Sequence, residues 1–253
     1  MCFDHDAHPP ISSVSGASFE TERTTLTADD GTEFMAYGAR AGVPSSAAVV
    51  VMPDVRGLFA FYEELAERFA ERGIDAVAID YFGRTAGLDP RSPDFDFWPH
   101  VDKTTQEGVT ADVAAGIALL RERQDNEDRP IFTIGFCFGG SGSWLQAVAG
   151  HGLSGVIGFY GKPTDARPGF DAPVAAAPGF ECPVLGLMGG ADDSIPPEAI
   201  AEFDAALSSA GVEHELHSYP GAPHSFFDRA AEQFSTESDD AWERVLSFIA
   251  TNS

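Results

Sequence analysis

Ile131-Phe132-Thr133-Ile134-Gly135-Phe136-Cys137-Phe138-Gly139-Gly140 reads as a buried strand, a sharp turn and the first residues of a helix. A Gly-x-Cys-x-Gly spacing alone carries little. Between a strand and a helix it is the arrangement of a nucleophile elbow, with cysteine where serine is usual. So tight a turn brings the positions two either side of the nucleophile together, where any Cβ would collide, so both are glycine. The bend lifts the Cys137 side chain into the open at a helix N-terminus, at a cost in backbone strain. The competing reading is a buried, inert cysteine that packs as a small hydrophobe.

The flanking segments alternate between strand and helix. Ala47–Met52 (AAVVVM) is a continuous apolar run, as in a strand buried on both faces. In Phe61–Arg72, Leu65, Ala66 and Phe69 recur at helical spacing, and Gly73 stops the helix. Strand Ile74–Ile79 and helix Thr110–Arg123, with Val113, Ile117 and Leu120 on one face, precede strand Ile131–Gly135 and helix Gly139–Ala149. Strands Gly155–Tyr160 and Val184–Met188, helix Pro197–Ala210, strand His214–Tyr219 and helix Asp239–Ala250 complete the pattern. Upstream, Thr21–Thr27 and Thr32–Gly38 flank Asp29-Asp30-Gly31, a hairpin signal. The alternation predicts an α/β fold with a mainly parallel central sheet and helices on both faces. Residues 1–18 are expected to be a loose polar tail and residues 19–253 a single domain. Two connections, Phe82–Thr110 and Lys162–Phe180, are long, and such loops commonly carry ligand sites at the carboxyl ends of strands.

Charge bears on partners. The 253 residues carry 15 basic and 40 acidic side chains, a formal net charge of −25. That surface repels phosphate backbones and anionic lipid heads, so neither nucleic acid nor membrane is an expected partner. Heavy acidity with only two lysines, Lys103 and Lys162, fits life in high salt. No apolar run approaches the roughly 20 residues that span a bilayer. Met1–Asp6 have neither the basic region nor the apolar core of a signal peptide, and a cytoplasmic protein is expected, monomeric or a small homo-oligomer. Cys2, Cys137 and Cys182 are odd in number and widely spaced, which fits reduced thiols better than disulfides or structural zinc. His5 and His8 among Asp4 and Asp6 read as a solvated tail rather than a metal site.

Partners for the cysteine follow in order. Strand Val184–Met188 ends in Gly189-Gly190-Ala191-Asp192-Asp193, and strand His214–Tyr219 in Pro220-Gly221-Ala222-Pro223-His224-Ser225-Phe226. Nucleophile, acid, histidine is the chain order of the α/β-hydrolases. The Gly-Gly-Ala turn favours Asp192 over Asp193 as the inward acid. An unperturbed cysteine is only a few per cent thiolate at neutral pH. A helix N-terminus contributes about 0.3–1 kcal/mol, less than one pKa unit, so an imidazole must take the proton. His224 is the expected base, and Asp192 orients its ring. The oxyanion needs backbone donors: Phe138 N–H follows the nucleophile, and Val55 is expected from the loop after Met52 because Pro53 has no N–H.

With these motifs in place, the chain resembles the dienelactone hydrolase family of the α/β-hydrolase superfamily. The resemblance rests on the Gly-x-Cys-x-Gly-Gly elbow at 135–140, Gly-Gly-Ala-Asp at 189–192 and Gly-x-x-His-Ser-Phe at 221–226, and spans most of residues 20–250. It implies the triad Cys137, Asp192 and His224. Asp54 falls where the family's original members have a glutamate that modulates the thiol; a turn aspartate is the alternative. Those members bind a substrate carboxylate through arginines. One slot holds Asp228 here, with Arg229 next to it, and Arg84 and Arg91 are candidates for the other. Tyr160 resembles the family's pocket aromatic.

The leading expectation is a hydrolase of small activated esters or lactones, needing no metal or organic cofactor. Its substrate is expected to be anionic or aromatic, with Phe95, Phe97 and Trp98 as an apolar wall. The alternatives are acyl transfer or peroxidase-like chemistry at an exposed thiol, and a non-catalytic module that binds a small ligand on the same fold.

Overall fold

A computed structural model describes residues 7–44, 46–122 and 128–253. β1 (Phe19–Thr27) and β2 (Glu33–Ala41) form the expected hairpin, in register from Phe19↔Ala41 to Thr27↔Glu33. β2 lies antiparallel to β4 (Ile74–Ile79). From there β3 (Ala47–Met52), β5 (Ile131–Phe136), β6 (Gly155–Phe159), β7 (Val184–Gly189) and β8 (His214–Tyr219) run parallel. The order across the sheet is β1-β2-β4-β3-β5-β6-β7-β8. This is the mainly parallel α/β architecture that the alternation predicts.

β3 shows why its sequence is apolar without a break. Ala47, Val49 and Val51 belong to one core with Phe61, Leu65 and Phe69 of α1 (Ala60–Ala70). Ala48, Val50 and Met52 belong to a second core with Val109, Val113, Ile117 and Leu120 of α4 (Gln106–Glu122). Each valine or methionine so buried contributes about 1.5–3 kcal/mol. The strand is fixed from both sides, and so is the loop that leaves it.

α4 begins ahead of the periodic stretch because the Thr105 hydroxyl accepts the Gly108 N–H at 3.1 Å, which satisfies an end donor of the helix. α5 (Phe138–Leu145), α7 (Pro197–Ala210) and α8 (Ser235–Thr251) occupy the other expected helical stretches. α2 (Gly83–Ala86) and α3 (Trp98–Val101) lie in the first long connection and α6 (Pro173–Ala176) in the second. Four residues are too few to show a helical period.

Residues 7–18 do not trail loosely; they lie along α1. Ile11 packs on the core, Arg72 donates to Ser12 O at 3.2 Å, and the Val14 N–H donates to Glu71 at 3.0 Å. His8 pairs with Glu64 at 2.8 Å. Polar composition concealed a segment held by side chains some sixty residues away. Cys2, Asp4, His5 and Asp6 lie outside the described residues. Among the described residues no helix is long and apolar enough to cross a membrane.

Candidate active site

Cys137 follows β5 immediately, at φ 54° and ψ −111°, a backbone conformation that side chains disfavour. The glycines around it have no room for a Cβ. One on Gly135 would stand 1.9 Å from Gly139 O, one on Gly139 2.3 Å from both Met52 O and Pro53 O, and one on Gly140 2.6 Å from Phe159 O. The elbow is therefore wedged between the ends of β3 and β6. Cys137 N–H donates to Phe159 O at 3.0 Å, and the side chain is half-buried. Among the described residues only Tyr160 (φ 37°) and Ser225 (φ 62°) share a positive φ without being glycine. Tyr160 follows β6 and Ser225 follows His224, so the strain is concentrated where these loops converge.

Asp192 is three residues beyond β7 and His224 five beyond β8. The His224 Nδ1–H donates to Asp192 Oδ2 at 2.5 Å, while Asp192 Oδ1 accepts the Ser194 N–H at 2.9 Å and the Ser194 hydroxyl at 2.7 Å. Asp193 is exposed. Burial pushes the Asp192 carboxyl up, but its bonds from His224 and Ser194 outweigh burial and hold it below its ordinary value. The two loops meet because of the glycine pair. A Cβ on Gly189 would stand 2.5 Å from Pro223 O, and one on Gly190 2.7 Å from Tyr219 O. The His224 ring lies 4.8 Å from the Tyr160 ring, beside the residue whose carbonyl receives the Cys137 amide.

Two peptide units are set with their N–H groups unsatisfied. Neither Val55 nor Phe138 N–H has an acceptor among the described residues. Their carbonyl ends are engaged instead. Cys137 O accepts the Gly140 N–H at 3.0 Å and the Ser141 N–H at 3.3 Å, which directs the Phe138 N–H the opposite way. Asp54 O accepts the Tyr81 hydroxyl at 2.9 Å and the Gly57 N–H at 3.2 Å, which does the same for Val55. Tyr81 also donates to Pro53 O. Burial, reinforced by the nearby Asp54 charge, raises the Tyr81 phenol well above its ordinary value and keeps it a donor. Nothing in the sequence marks Tyr81; it acts across 27 residues.

Behind the histidine lies a buried group of charges. Asp54, 1% exposed, accepts Arg56 N–H at 2.8 Å, Nε–H at 3.2 Å and Nη2–H at 2.8 Å. Its carboxylate thus pairs with a guanidinium. Asp228 accepts the Tyr160 hydroxyl at 2.7 Å and the Arg229 N–H. Burial pushes the Asp228 carboxyl up to about 7, and the Asp54 charge adds to the rise.

The sequence and the fold have known counterparts. The model of the dienelactone hydrolase family matches residues 34–253. The chain belongs to that family. It is 30% identical to the carboxymethylenebutenolidase of Rhodococcus opacus, over 98% of this chain and 96% of that one. A candidate dienelactone hydrolase from Klebsiella pneumoniae superimposes with a TM-score of 0.81 at 26% identity, covering 92% of this chain and 99% of that one. A puromycin hydrolase shares the fold, at 21% identity and a TM-score of 0.74, with 92% of this chain matched to 39% of the other. Membership makes the chain a lactone or ester hydrolase of the dienelactone hydrolase type.

Of the arginines that the family resemblance put forward, two are held by carboxylates of the fold and one is exposed. Arg84 is turned to Asp112, with Nε 3.0 Å and Nη2 2.8 Å from the carboxylate, and to Asp30. Arg91 is buried against Asp80 at 2.7 Å and Gly87 O at 2.7 Å, beneath Phe95. Arg229 is exposed, and only its amide serves Asp228. Trp98 is 60% exposed and packs on Phe97, and Phe95 stacks on His100, so these aromatics anchor their own loop. The guanidinium beside the elbow belongs to Arg167, in the second long connection. Its Cζ stands 3.7 Å from the centre of the Phe138 ring.

Proposed function

We propose that the protein hydrolyses small activated esters and lactones through a covalent acyl-enzyme on Cys137. His224 removes the thiol proton, and Sγ attacks the carbonyl carbon. The oxyanion of the tetrahedral intermediate is held by the Val55 and Phe138 N–H groups. Collapse expels the alkoxide or enolate, which takes the proton from His224; from a lactone it stays attached to the acyl chain. His224 then deprotonates water, which attacks the thioester, and Sγ regains its proton as the acid leaves. Asp192 holds Nδ1–H throughout, which leaves proton exchange to Nε2 and balances the imidazolium.

The observation that carries this reading is the 2.5 Å bond between His224 and buried Asp192, formed by loops from two strand ends, with the strained Cys137 at the end of a third strand. Asp54 supports Val55 through its carbonyl, which accepts from Tyr81, while its carboxylate pairs with Arg56. Peroxidase-like chemistry finds little support. Burial pushes the Cys182 thiol up to about 12, which makes it a poor resolving partner.

Turnover of dienelactone and an aryl acetate by Cys137→Ala and Asp192→Asn tests the reading. Removing the nucleophile is expected to lower kcat by about 10⁶, and disabling the acid by about 10⁴. Unchanged turnover in Cys137→Ala overturns it.

A further inference from the structure

Asp228 stands apart from the other buried aspartates. Asp54, Asp75, Asp80 and Asp112 each pair with an arginine, and Asp192 with His224. Among the described residues, no cation lies within salt-bridge distance of the Asp228 carboxyl. Arg56 is within electrostatic reach, but it is bound to Asp54, whose charge opposes its own. Asp228 is 5% exposed, and its one side-chain partner is the Tyr160 hydroxyl, at 2.7 Å. Burying a carboxyl without a cation is costly, and no step of the hydrolysis uses this one.

The bond joins two loops that frame the site. Tyr160 continues β6, where Phe159 O holds the Cys137 N–H at 3.0 Å and the Tyr160 N–H donates to Leu187 O of β7 at 2.9 Å. A Cβ on the next residue, Gly161, would stand 2.6 Å from the Ser141 N, so this backbone is pressed against α5, the helix that starts at the elbow. Asp228 belongs to the His224 loop. Its N–H donates to Ser225 O at 3.2 Å, and its carbonyl accepts the Ala231 N–H at 2.9 Å. Tyr160 and Ser225 both hold a positive φ, a conformation that persists only where the surroundings fix it. The Tyr160 ring is buried, with its centre 4.8 Å from that of His224 and the planes at 54°. The bond from His224 Nδ1–H to Asp192 anchors one edge of the imidazole but leaves the ring free to turn about that bond. Contact with the phenol limits the turn and so sets the direction of Nε2.

We infer that Asp228 and Tyr160 are positioning residues for the reaction: the carboxyl holds the phenol, and the phenol holds the His224 ring in the orientation that proton transfer requires. A catalytic group is only as well placed as the side chains that lock its rotamer, and here the lock is a buried hydrogen bond across 68 residues of chain. The Tyr160 hydroxyl, turned to Asp228, serves the histidine rather than a ligand. The inference rests on the esterase reading of the same site.

Two readouts test it: turnover of 4-nitrophenyl acetate, and the rate at which iodoacetamide alkylates Cys137 at one neutral pH, followed on the peptide that bears it. Tyr160→Phe keeps the ring and removes the hydroxyl. It is expected to lower kcat about tenfold with KM nearly unchanged, less than the hundredfold of a 1 Å misplacement because Asp192 still holds Nδ1. Alkylation is expected to slow by a similar factor, since the imidazole that takes the thiol proton is then less well placed. Asp228→Leu is expected to match Tyr160→Phe, and the double variant to lose no more than either alone. Asp228→Asn, whose amide can still bond the phenol, is expected to lose less. Tyr160→Phe carries the test where Asp228→Leu does not fold. Unchanged kcat and alkylation in Tyr160→Phe overturn the assignment even where Tm falls, because the pair then only braces the fold; additive losses in the double variant also overturn it. Failure of the esterase reading is separately visible, as full turnover in Cys137→Ala.

Discussion

Tyr81 acts on the site without touching a substrate. Its hydroxyl fixes Asp54 O, the far end of the peptide that presents the Val55 N–H. Tyr81→Phe is expected to lower kcat on an aryl ester about tenfold with KM nearly unchanged, because a loosened oxyanion donor costs less than the 10²–10³ of a missing one. An unaltered kcat contradicts that role. Asp228 supplies a test in pH. Its carboxyl rises from the ordinary 3.8 to about 7, so the folded chain keeps a proton that the unfolded chain releases. Its contribution to stability is present below the unfolded value and is lost as pH rises toward 7. Asp192 behaves oppositely: its depressed carboxyl stabilises above the ordinary value, and that is lost in acid. Asp228→Asn is therefore expected to flatten the denaturation midpoint between pH 4 and 7, and a slope equal to that of the parent protein contradicts this. At this scale the sequence was least legible. Arg84 and Arg91 stand near the expected slot, but the carboxylates they meet, Asp112 and Asp80, are set by the fold.

Among elements, strands and the elbow were the legible part, since each has a local cause. The Asp-Gly turn makes the hairpin, the unbroken run Ala47–Met52 makes a strand covered on both faces, and Gly135 and Gly139 leave no alternative to the sharp bend. The four-residue helices α2, α3 and α6 were not legible, having no period to read. Helix starts were misjudged where a cap such as Thr105 extends them beyond the apolar pattern. The glycine pair after β7 offers a prediction at this scale. In Gly189→Ala the new Cβ meets backbone oxygens of Pro223 and Ala222, which cannot yield without moving the His224 loop. We expect kcat/KM to fall about a hundredfold, the scale of a misplacement near 1 Å, in a protein that still folds. Native activity in a folded Gly189→Ala variant contradicts the packing argument.

For the whole molecule the net charge of −25 dominates. Self-repulsion opposes the compact state, and salt screens it over about 10 Å at 0.1 M. Raising sodium chloride from dilute to molar is expected to lift Tm by several degrees, about 2–4 °C for each kcal/mol recovered; a flat Tm contradicts it. In the proposed reading, sheet order and converging loops serve one reactive sulfur. The most direct test is an acid-quenched single turnover of a 4-nitrophenyl ester, followed by intact mass and peptide mapping. The account predicts a transient mass gain of one acyl group on the peptide bearing Cys137, and its absence in Cys137→Ala. Rapid ester consumption with no acyl group on Cys137 at any quench time contradicts it.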